Sequence, residues 1–561
     1  MVTAEQNGSP YDVIVVGGGP TGSVAATDLA IRGIRTLVLE KTDGSVPDAR
    51  ATATNVRTME LMRRFGVEAE LRNCGWPRDR ALDVVYGPGV YEPEILRMPW
   101  PAIDDALPAA YSPTSYQRCP QRWLNPILAG MARRQPLVDF RFRWEVTSFE
   151  QDDSGVTVQA TDGAGRTHAF RTRYLLACDG ARSGVRKALG IGAEVWNELG
   201  HSVEALIRSP QLAEAYPVKT GGHYTLIERS GMSVALWPLD GCDMFRVTLM
   251  VHRQGGTKED ISDAVRRLGG DREVRFEFLS GVFPWTNRIG VRERFRDGRV
   301  FLVGDAAHSM PTTGGFGMNT GVLDAVDLTW KLAAVLRGWG HPDLLDTYEF
   351  ERKTSSAQTA ELAAEVYRDW QAMSEHMAAF AERPLKGRSP EAVAARKELG
   401  ELLLKVFGRE FNAVGGALGY RYENSPICVP DGTAAPPFAV GTYVPTARPG
   451  HRAPHAWLPD GASTLDLFGE EMVLLCFGRR ASDAHGLVVA ARARQVPLRI
   501  VEIDDPAVAA LYARAFVLVR PDGMVAWRSD ESPADPDGLI DRVRGACLAV
   551  GGHKRTMLSQ A

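Results

Sequence analysis

Three glycines close to the start of the chain have the spacing of a phosphate-binding turn. Gly17, Gly19 and Gly22 form the pattern Gly-x-Gly-x-x-Gly, and Glu40 follows at the end of the next apolar run. Glycines at these positions allow a tight turn and let backbone N–H groups approach a pyrophosphate at the start of a helix. A carboxylate placed like that of Glu40 accepts hydrogen bonds from ribose hydroxyls. The spacing predicts a dinucleotide site, and a ribose with free hydroxyls fits both FAD and NAD.

A second glycine-rich segment follows a strand candidate much later in the chain. Residues 299–303 are largely apolar, Gly304 and Asp305 come next, and residues 314–321 are again rich in glycine. The strand would deliver Asp305 at its carboxyl end, where a carboxylate can bond a polyol such as ribitol. A helix that starts within residues 314–319 would direct N–H groups and a helix dipole at the N1–C2=O edge of a flavin, which becomes negative on reduction. This segment therefore favours FAD over NAD.

These segments resemble those of the group A flavoprotein monooxygenases, the class of para-hydroxybenzoate hydroxylase and phenol hydroxylase. Asp179, followed by Gly180, resembles the family's Asp-Gly motif near flavin and nicotinamide, although an Asp in such a turn can also cap a helix. Arg50 matches a family arginine after the second strand. Gln121 matches a glutamine that contacts the phosphate and ribose region of FAD, whereas Asn125 stands where the family usually has Glu.

The last part of the chain carries a resemblance of its own. Residues 449–458 and 519–528 look like the C-terminal thioredoxin-like domain of the larger family members. These include phenol hydroxylase and the hydroxylases of aromatic polyketide and indolocarbazole biosynthesis. Cys476 has no second cysteine at redox spacing there, so we expect a structural or oligomerisation role without disulfide chemistry. We also expect the protein to form a homo-oligomer.

The predicted fold class is α/β. We expect a Rossmann-like FAD-binding domain interleaved with a β-rich substrate domain, plus a C-terminal thioredoxin-like domain. Residues 11–16 and 36–39 are strand candidates on either side of a helix, and a hairpin is predicted around Asp240 and Gly241. The predicted bounds are 1–75, 116–195 and 289–400 for the FAD-binding domain, 76–115 and 196–288 for the substrate-binding β-sheet domain, and 425–561 for the thioredoxin-like domain.

The site prediction combines the motif residues with their neighbours. The predicted cofactor-binding residues are Gly17, Gly19, Pro20, Thr21, Gly22, Glu40, Lys41, Arg50, Gln121, Asp179, Asp305, Pro311, Gly315, Gly317, Met318 and Asn319. The predicted catalytic residues are Arg50, Tyr224, Arg246 and Pro311. His223 and Trp285 are further candidates, because a phenol reacts better as its phenolate and a base or proton relay would help. No metal site is predicted.

The resemblance implies an FAD- and NAD(P)H-dependent monooxygenase of secondary metabolism. Such an enzyme hydroxylates an aromatic or phenolic substrate with O2 through a flavin C4a-hydroperoxide. Because the chain shows one nucleotide fingerprint, NADPH or NADH is expected to dock transiently. The Trp-x-Trp-x-Ile-Pro signature of flavin-dependent halogenases is absent from the sequence. Baeyer–Villiger or epoxidising oxygenation on the same fold, and a non-catalytic flavoprotein that sequesters an intermediate, stay open.

Composition and charge exclude other classes of partner. The 561 residues are 44% hydrophobic and 24% charged, and their net charge is -4. This balance gives no reason to expect nucleic acid or an anionic membrane surface as a partner. No apolar run is long enough to span a membrane, and residues 1–10 lack a secretory pattern. Seven scattered cysteines fit a reducing compartment, so we expect a cytoplasmic protein.

Overall fold

The structure is a computed structural model that describes residues 11–46, 53–251, 253–380, 382–478 and 480–547. The first elements are β1 (Val13–Val16), α1 (Pro20–Ile31), β2 (Thr36–Glu40), β3 (Ala53–Thr54), α2 (Val56–Arg64), α3 (Glu68–Arg72), β4 (Val84–Gly87), β5 (Leu96–Met98), β6 (Gln117–Arg118), α4 (Gln121–Arg133), β7 (Val138–Phe142), β8 (Glu145–Asp152), β9 (Gly155–Thr161), β10 (Thr167–Thr172), β11 (Tyr174–Ala177) and α5 (Gly184–Ala188).

The middle of the chain is rich in strands. It contains β12 (Ala193–Arg208), α6 (Pro210–Glu214), α7 (Tyr216–Lys219), β13 (His223–Glu228), β14 (Gly231–Pro238), β15 (Met244–Val251), α8 (Lys258–Gly269), β16 (Glu277–Phe278), β17 (Phe283–Arg292) and β18 (Arg296–Asp297). The remaining elements are β19 (Val300–Leu302), β20 (His308–Ser309), α9 (Phe316–Leu336), α10 (Asp346–Met377), α11 (Pro390–Phe411), α12 (Val414–Leu418), β21 (Met472–Phe477), α13 (His485–Ala493), β22 (Leu498–Ile503), α14 (Pro506–Tyr512), β23 (Phe516–Val519), β24 (Val525–Ser529) and α15 (Pro536–Val543).

The first sheet positions the predicted cofactor motifs. Its strand order is β18-β19-β11-β1-β2-β7, and the five strands from β19 to β7 run parallel. β1 and β11 are buried along their whole length, as expected for parallel strands that helices cover on both faces. The predicted βαβ unit is confirmed, because β1 and β2 are parallel neighbours joined by α1. The carboxyl ends of β19, β11, β1 and β2 therefore meet at one edge, where open α/β sheets bind ligands.

The second sheet is mostly antiparallel and has two differently covered faces. Its strand order is β20-β17-β12-β15-β14-β13-β4-β5, and β16 also pairs with β12. The predicted hairpin is confirmed as β14 and β15, which pair antiparallel. Apolar side chains of α8 cover one face of this sheet, and apolar side chains of α10 and α11 cover part of the other. Side chains alternate between these faces along each strand, so the parity of a residue decides which helices it meets.

The C-terminal part forms a four-stranded sheet with helices around it. Its strand order is β22-β21-β23-β24, in which β21 is parallel to β22 and antiparallel to β23. This mixed arrangement, with α13 and α14 as the connections, is the thioredoxin-like topology. The α/β fold class, with its Rossmann-like, β-rich and thioredoxin-like parts, is confirmed.

Buried ion pairs join this C-terminal part to the helices of the first sheet. The Arg520 guanidinium, after β23, bonds both carboxylate oxygens of Glu351 on α10 at 2.6 and 2.9 Å. Lys331 on α9 bonds the same carboxylate at 2.6 Å and Asp327 at 2.8 Å. Arg452 likewise bonds Glu60 on α2 at 2.9 Å through its Nε. Charges this deeply buried persist only when they are paired.

Candidate active site

The first glycine turn forms a cradle at the start of α1. Gly17 has a φ of 102°, and a Cβ on Gly22 would lie 2.0 Å from the Gly17 carbonyl oxygen, so both positions require glycine. Gly19 is the N-cap of α1 and Pro20 opens the helix, where the missing proline N–H costs nothing. No side chain of the described residues caps this helix, and a Cβ on Gly19 would face open space. Free N–H groups beside an open space fit a pyrophosphate.

Glu40 is fixed at the end of β2, next to this cradle. Its Oε2 accepts from the Gly18 N–H at 2.7 Å, and its Oε1 accepts from the Thr42 N–H at 2.8 Å. The Thr42 hydroxyl also donates to Oε1 at 2.7 Å, so Oε2 is the oxygen whose second lone pair can still accept a ribose hydroxyl. Lys41 is exposed beside it.

A buried carboxylate shapes the turn that carries Asp305. Gly304 has a φ of 64°, and its N–H donates to Asp324 Oδ2 at 3.1 Å. The same oxygen lies 2.7 Å from His308 Nε2, and Asp324 Oδ1 accepts from Arg352 Nε at 2.7 Å. Burial alone would raise the pKa of Asp324, but Arg352 and His308 lower it below its usual range. Asp324 thus stays ionised and holds the turn, while the Asp305 side chain is exposed at the sheet edge.

Thr21 closes the space between the two glycine segments. A Cβ on Gly304 would lie 2.9 Å from Thr21 Oγ1, and one on Gly321 would lie 2.5 Å from it. The start of α1 therefore packs against the Gly304 turn and the first turns of α9. The two predicted glycine motifs are brought together.

The second helix start lies next to Asp305. Gly314 and Gly315 have φ values of 71° and 66°, and Gly315 is the N-cap of α9 without a side-chain cap from the described residues. A Cβ on Gly317 would lie 3.9 Å from Asp305 Oδ1. Met318 is half-buried on the same turn. This helix end has the free N–H groups that the predicted flavin contact requires, and the contact itself stays a prediction.

Asn319 fastens this helix start to the short ribbon of β3 and β6. Its Nδ2 donates to the carbonyl oxygens of Gly315 at 2.8 Å and Ala53 at 3.1 Å, and its Oδ1 accepts from the Asn55 N–H at 3.0 Å. The Asn319 side chain is therefore engaged with backbone, so it positions the helix start.

Asp179 caps a short helix with one carboxylate oxygen, and its cofactor role stays a prediction. Its Oδ2 accepts from the N–H groups of Gly184 at 2.8 Å and Val185 at 3.2 Å, and so caps α5. Its Oδ1 is buried and has no hydrogen-bond partner among the described residues. A buried carboxylate oxygen without a donor is costly, so a ligand or water that donates to it would be stabilised.

The other predicted cofactor residues lie around this edge or outside the described part. Gln121 is the half-buried first residue of α4. Pro311 is buried between β20 and the turn Thr313–Gly315. Arg50, predicted for both cofactor binding and catalysis, lies outside the described residues. Their roles stay predictions.

An aromatic and cationic cluster covers the face of the second sheet opposite α8. The rings of His223 and Trp237 stack with centroids 3.7 Å apart, and Phe411 at the end of α11 lies 5.8 Å from His223. The Arg246 guanidinium lies 4.9 Å from the Trp237 ring centroid, and that of Arg118 lies 5.8 Å from it. We call these five residues the aromatic–arginine cluster.

Burial shifts the charge balance of this cluster. It lowers the pKa of Arg118 to about 10, with Arg246 adding to the effect, and it holds the pKa of His223 well below 6.5. Arg118 donates to the Pro238 carbonyl at 2.5 Å, but its Nε has no hydrogen-bond partner among the described residues. His223 Nδ1 also lacks one among those residues. The cluster therefore combines aromatic rings with two guanidinium groups. Arg118 Nε and His223 Nδ1 remain without a hydrogen-bond partner among the described residues.

The structure contradicts the catalytic role predicted for Tyr224. In β13, Tyr224 follows His223 and so points to the other face, where it is packed under α8. Its hydroxyl accepts from the Gly89 N–H at 3.0 Å, and burial raises its pKa well above the usual range. A buried phenol on the far side of the sheet cannot reach the flavin edge. The Trp285 indole N–H donates to Asn287 Oδ1 at 3.1 Å. This contact gives no support to the catalytic role considered for Trp285.

The cluster is adjacent to the second helix start through two links. Arg118 pairs with Ala53 in the β3–β6 ribbon, and a Cβ on Gly315 would lie 3.2 Å from the Ala53 Cβ. Next to Phe411, Glu410 accepts from the Gly314 N–H at 3.2 Å. Sequence reasoning missed Arg118, Trp237 and Glu410, because no local motif marks them.

Comparisons with known proteins identify the family of this chain. Residues 10–363 match the FAD binding domain family, and residues 446–547 match the C-terminal domain of aromatic-ring hydroxylases. Aklavinone 12-hydroxylase RdmE of Streptomyces purpurascens is 34% identical over 568 residues, covering 96% of this chain and 99% of that protein. No helix within the described ranges has both the length and the apolar character needed to cross a membrane.

Solved structures extend the likeness to the whole fold. Chromopyrrolic acid-soaked RebC with bound 7-carboxy-K252c is 39% identical with a TM-score of 0.86, over 96% of this chain and 99% of that one. A ternary complex of aklavinone-11 hydroxylase with FAD and aklavinone is 31% identical with a TM-score of 0.78, over 96% and 99%. The predicted resemblance and the cofactor FAD are confirmed. The chain belongs to the family of FAD-binding aromatic-ring hydroxylases and is an FAD-dependent monooxygenase.

Proposed function

We propose that this enzyme hydroxylates a polycyclic aromatic molecule that carries an acidic group, bound at the aromatic–arginine cluster. The observation that carries the proposal is the pairing of stacked rings with buried guanidinium groups, immediately beside the Gly314–Gly315 turn. Flat rings of Trp237 and His223 offer stacking surfaces for a flat substrate. Among the relatives, RdmE is an aklavinone 12-hydroxylase, and the RebC and aklavinone-11 hydroxylase structures hold 7-carboxy-K252c and aklavinone respectively.

The acidic group follows from the charges of the cluster. Arg246 Nε lies 4.0 Å from Glu204, whereas Arg118 rests against the Trp76 ring at 4.4 Å and a carbonyl. A buried guanidinium held by a π face and a carbonyl is electrostatically unsaturated, so an anionic ligand there is stabilised. A carboxylate or a phenolate would meet this requirement. In this proposal Arg246 orients the substrate rather than accepting its proton.

The residues at the sheet edge would hold FAD. The Gly17–Gly22 cradle fits the pyrophosphate, Glu40 a ribose, and Asp305 the ribityl chain, with the start of α9 at the flavin ring. Bound FAD, reduced by NADPH or NADH, would activate O2, one atom of which would be given to the ring while the other would leave as water. The chain itself would orient the aromatic ring of the substrate and exclude water from the aromatic–arginine cluster.

The test compares an aromatic acid with its methyl ester in the FAD-loaded enzyme. Substrate-stimulated NAD(P)H oxidation and incorporation of labelled O2 into the product report hydroxylation, and product connectivity separates it from ring insertion. Arg118→Met should raise KM for the acid by about tenfold or more, with little effect on the ester. Arg266→Met, on the exposed surface of α8, is the matched control. Equal losses for acid and ester would contradict the acidic group, and no stimulation by any aromatic would contradict the substrate class.

Three sequence predictions complete the proposal. The domain bounds given above, a cytoplasmic location and a homo-oligomeric state stay predictions. The C-terminal part is engaged with α9 and α10 through buried ions, which supports a structural role for it.

A further inference from the structure

A buried carboxyl group links the flavin-side turn to the two long helices that follow it. Glu410, near the end of α11, is 8% exposed. Its Oε1 accepts from the Gly314 N–H at 3.2 Å, and its Oε2 accepts from Trp370 Nε1 on α10 at 2.8 Å. Gly314 precedes the N-cap of α9, and Phe411 of the aromatic–arginine cluster follows Glu410 directly. The carboxyl group thus connects the start of the flavin helix with the substrate side.

The number of acceptors that Glu410 offers depends on its protonation. As a carboxylate it has two acceptor oxygens, and each receives one N–H. A protonated carboxyl group has one hydroxyl oxygen, whose proton must point at an acceptor of its own. Since both oxygens already face donors, protonation turns one of them into a hydroxyl oxygen, which accepts more weakly, and so weakens the contact with the Gly314 N–H or the Trp370 N–H. Only the ionised form holds both N–H groups with a charged acceptor.

The surroundings place this change within the working range of an enzyme. Burial raises the pKa of Glu410 to about 7, against the lowering effect of the hydrogen bonds from Trp370 and Gly314. Asp369 on α10 adds a negative charge that raises the pKa further, and the Tyr86 phenol on β4 also interacts with Glu410. Burial and Glu410 itself keep the pKa of Tyr86 well above 10.0, so Tyr86 stays neutral near pH 7.

We propose that Glu410 is a positioning residue for the flavin, whose ionised carboxylate fixes the Gly314–Gly315 turn and the start of α9. When Glu410 takes up a proton, the turn loosens, and the N–H groups directed at the flavin ring lose their fixed position. The oxidised holoenzyme should therefore show a one-proton transition near pH 7 in its flavin absorbance and fluorescence. This inference concerns the cofactor side and does not depend on the identity of the substrate.

The experiment titrates the FAD-loaded enzyme without substrate, from about pH 5.5 to about pH 8.5, with free FAD in parallel. Glu410→Gln places an amide donor against one of the N–H groups and cannot ionise, so the transition should disappear and the spectrum should match the acid form at every pH. Trp370→Phe removes one hydrogen bond to the carboxylate, so the midpoint should rise by about one pH unit. Glu398→Gln, exposed on the same helix, should leave the wild-type transition unchanged.

One further readout makes the outcome decisive. The protection of the Gly314 amide against hydrogen exchange, taken relative to the intrinsic exchange rate at each pH, should be several-fold lower below the midpoint in the wild type, and low at every pH in Glu410→Gln. Trp370→Phe keeps Glu410, so it tests the proposal even if Glu410→Gln fails to fold. A flat wild-type titration, an unchanged midpoint in Glu410→Gln, or a midpoint in Trp370→Phe that stays or falls would each overturn the inference.

Discussion

Removing the carboxylate of Asp324 should weaken FAD binding, although this residue lies behind the turn it supports. Asp324 is fully buried and accepts from Gly304 N at 3.1 Å, from His308 Nε2 at 2.7 Å and from Arg352 Nε at 2.7 Å. Asp324→Ala leaves the buried Arg352 guanidinium without its carboxylate, which costs about 3–5 kcal/mol. It also leaves the Gly304 N–H without an acceptor, at a further cost of about 1–3 kcal/mol.

A double variant separates these two costs. Asp324→Ala combined with Arg352→Met removes the unpaired charge, so most of the lost stability to urea should return. The Gly304 N–H still lacks its acceptor, so the turn that presents Asp305 should stay loose. FAD titration of the apoenzyme should then give a Kd raised by about tenfold or more in both the single and the double variant. If the double variant regains wild-type FAD affinity together with stability, Asp324 acts only through the charge of Arg352, and the positioning argument fails.

Three other changes test the cradle, the C-terminal contact and the pH response. Gly22→Ala places a Cβ 2.0 Å from the Gly17 carbonyl oxygen, so the purified protein should lose its visible flavin absorbance; full occupancy would disprove the cradle. Arg520→Met leaves the Glu351 carboxylate short of a buried partner and should cost about 3–5 kcal/mol, read as a lower urea midpoint, which an unchanged midpoint would contradict. Burial, with Arg452, lowers the pKa of His455 from 6.5 to about 4, so stability should fall as pH drops from about 6.5 towards 4; His455→Gln should flatten this slope of Tm against pH, and an identical slope would refute it.

The elements of the proposed cofactor edge could be predicted from the sequence because their signals are local. The glycines of the first turn and Asp305 each follow an apolar strand directly, and the carboxyl ends of parallel strands meet at one edge. The spacing of Gly17, Gly19 and Gly22 is therefore sufficient to predict the turn between β1 and α1. The requirement for glycine is also local, because a Cβ on Gly22 would lie 2.0 Å from the Gly17 carbonyl oxygen in the same turn.

The substrate side could not be predicted in the same way, because it depends on the parity of strands and on distant packing. His223 and Tyr224 are adjacent and both are chemically suitable, yet one faces the aromatic–arginine cluster and the other faces α8. A shift of one residue in the register of β13 would exchange the faces on which these two side chains lie. The face that α8 covers cannot be inferred from the local sequence. Arg118 and Glu410 reach the site from elements nearly 300 residues apart in the chain. No spacing rule relates them.

The polar residues of α9 connect the proposed flavin site to the C-terminal part. Along one largely buried helix, Asn319 holds the β3–β6 ribbon, Asp324 holds the Gly304 turn, and Asp327 and Lys331 meet the C-terminal Arg520 network. Without Arg520, the buried carboxylates of Asp327 and Glu351 would both depend on the cation of Lys331. Burial already raises the pKa of Asp327 well above its usual range, so the loss of a cation would be costly. Arg520 of the C-terminal part therefore neutralises buried carboxylates on the helix pair next to the proposed flavin turns. This role requires a buried arginine, and it requires no redox pair of cysteines.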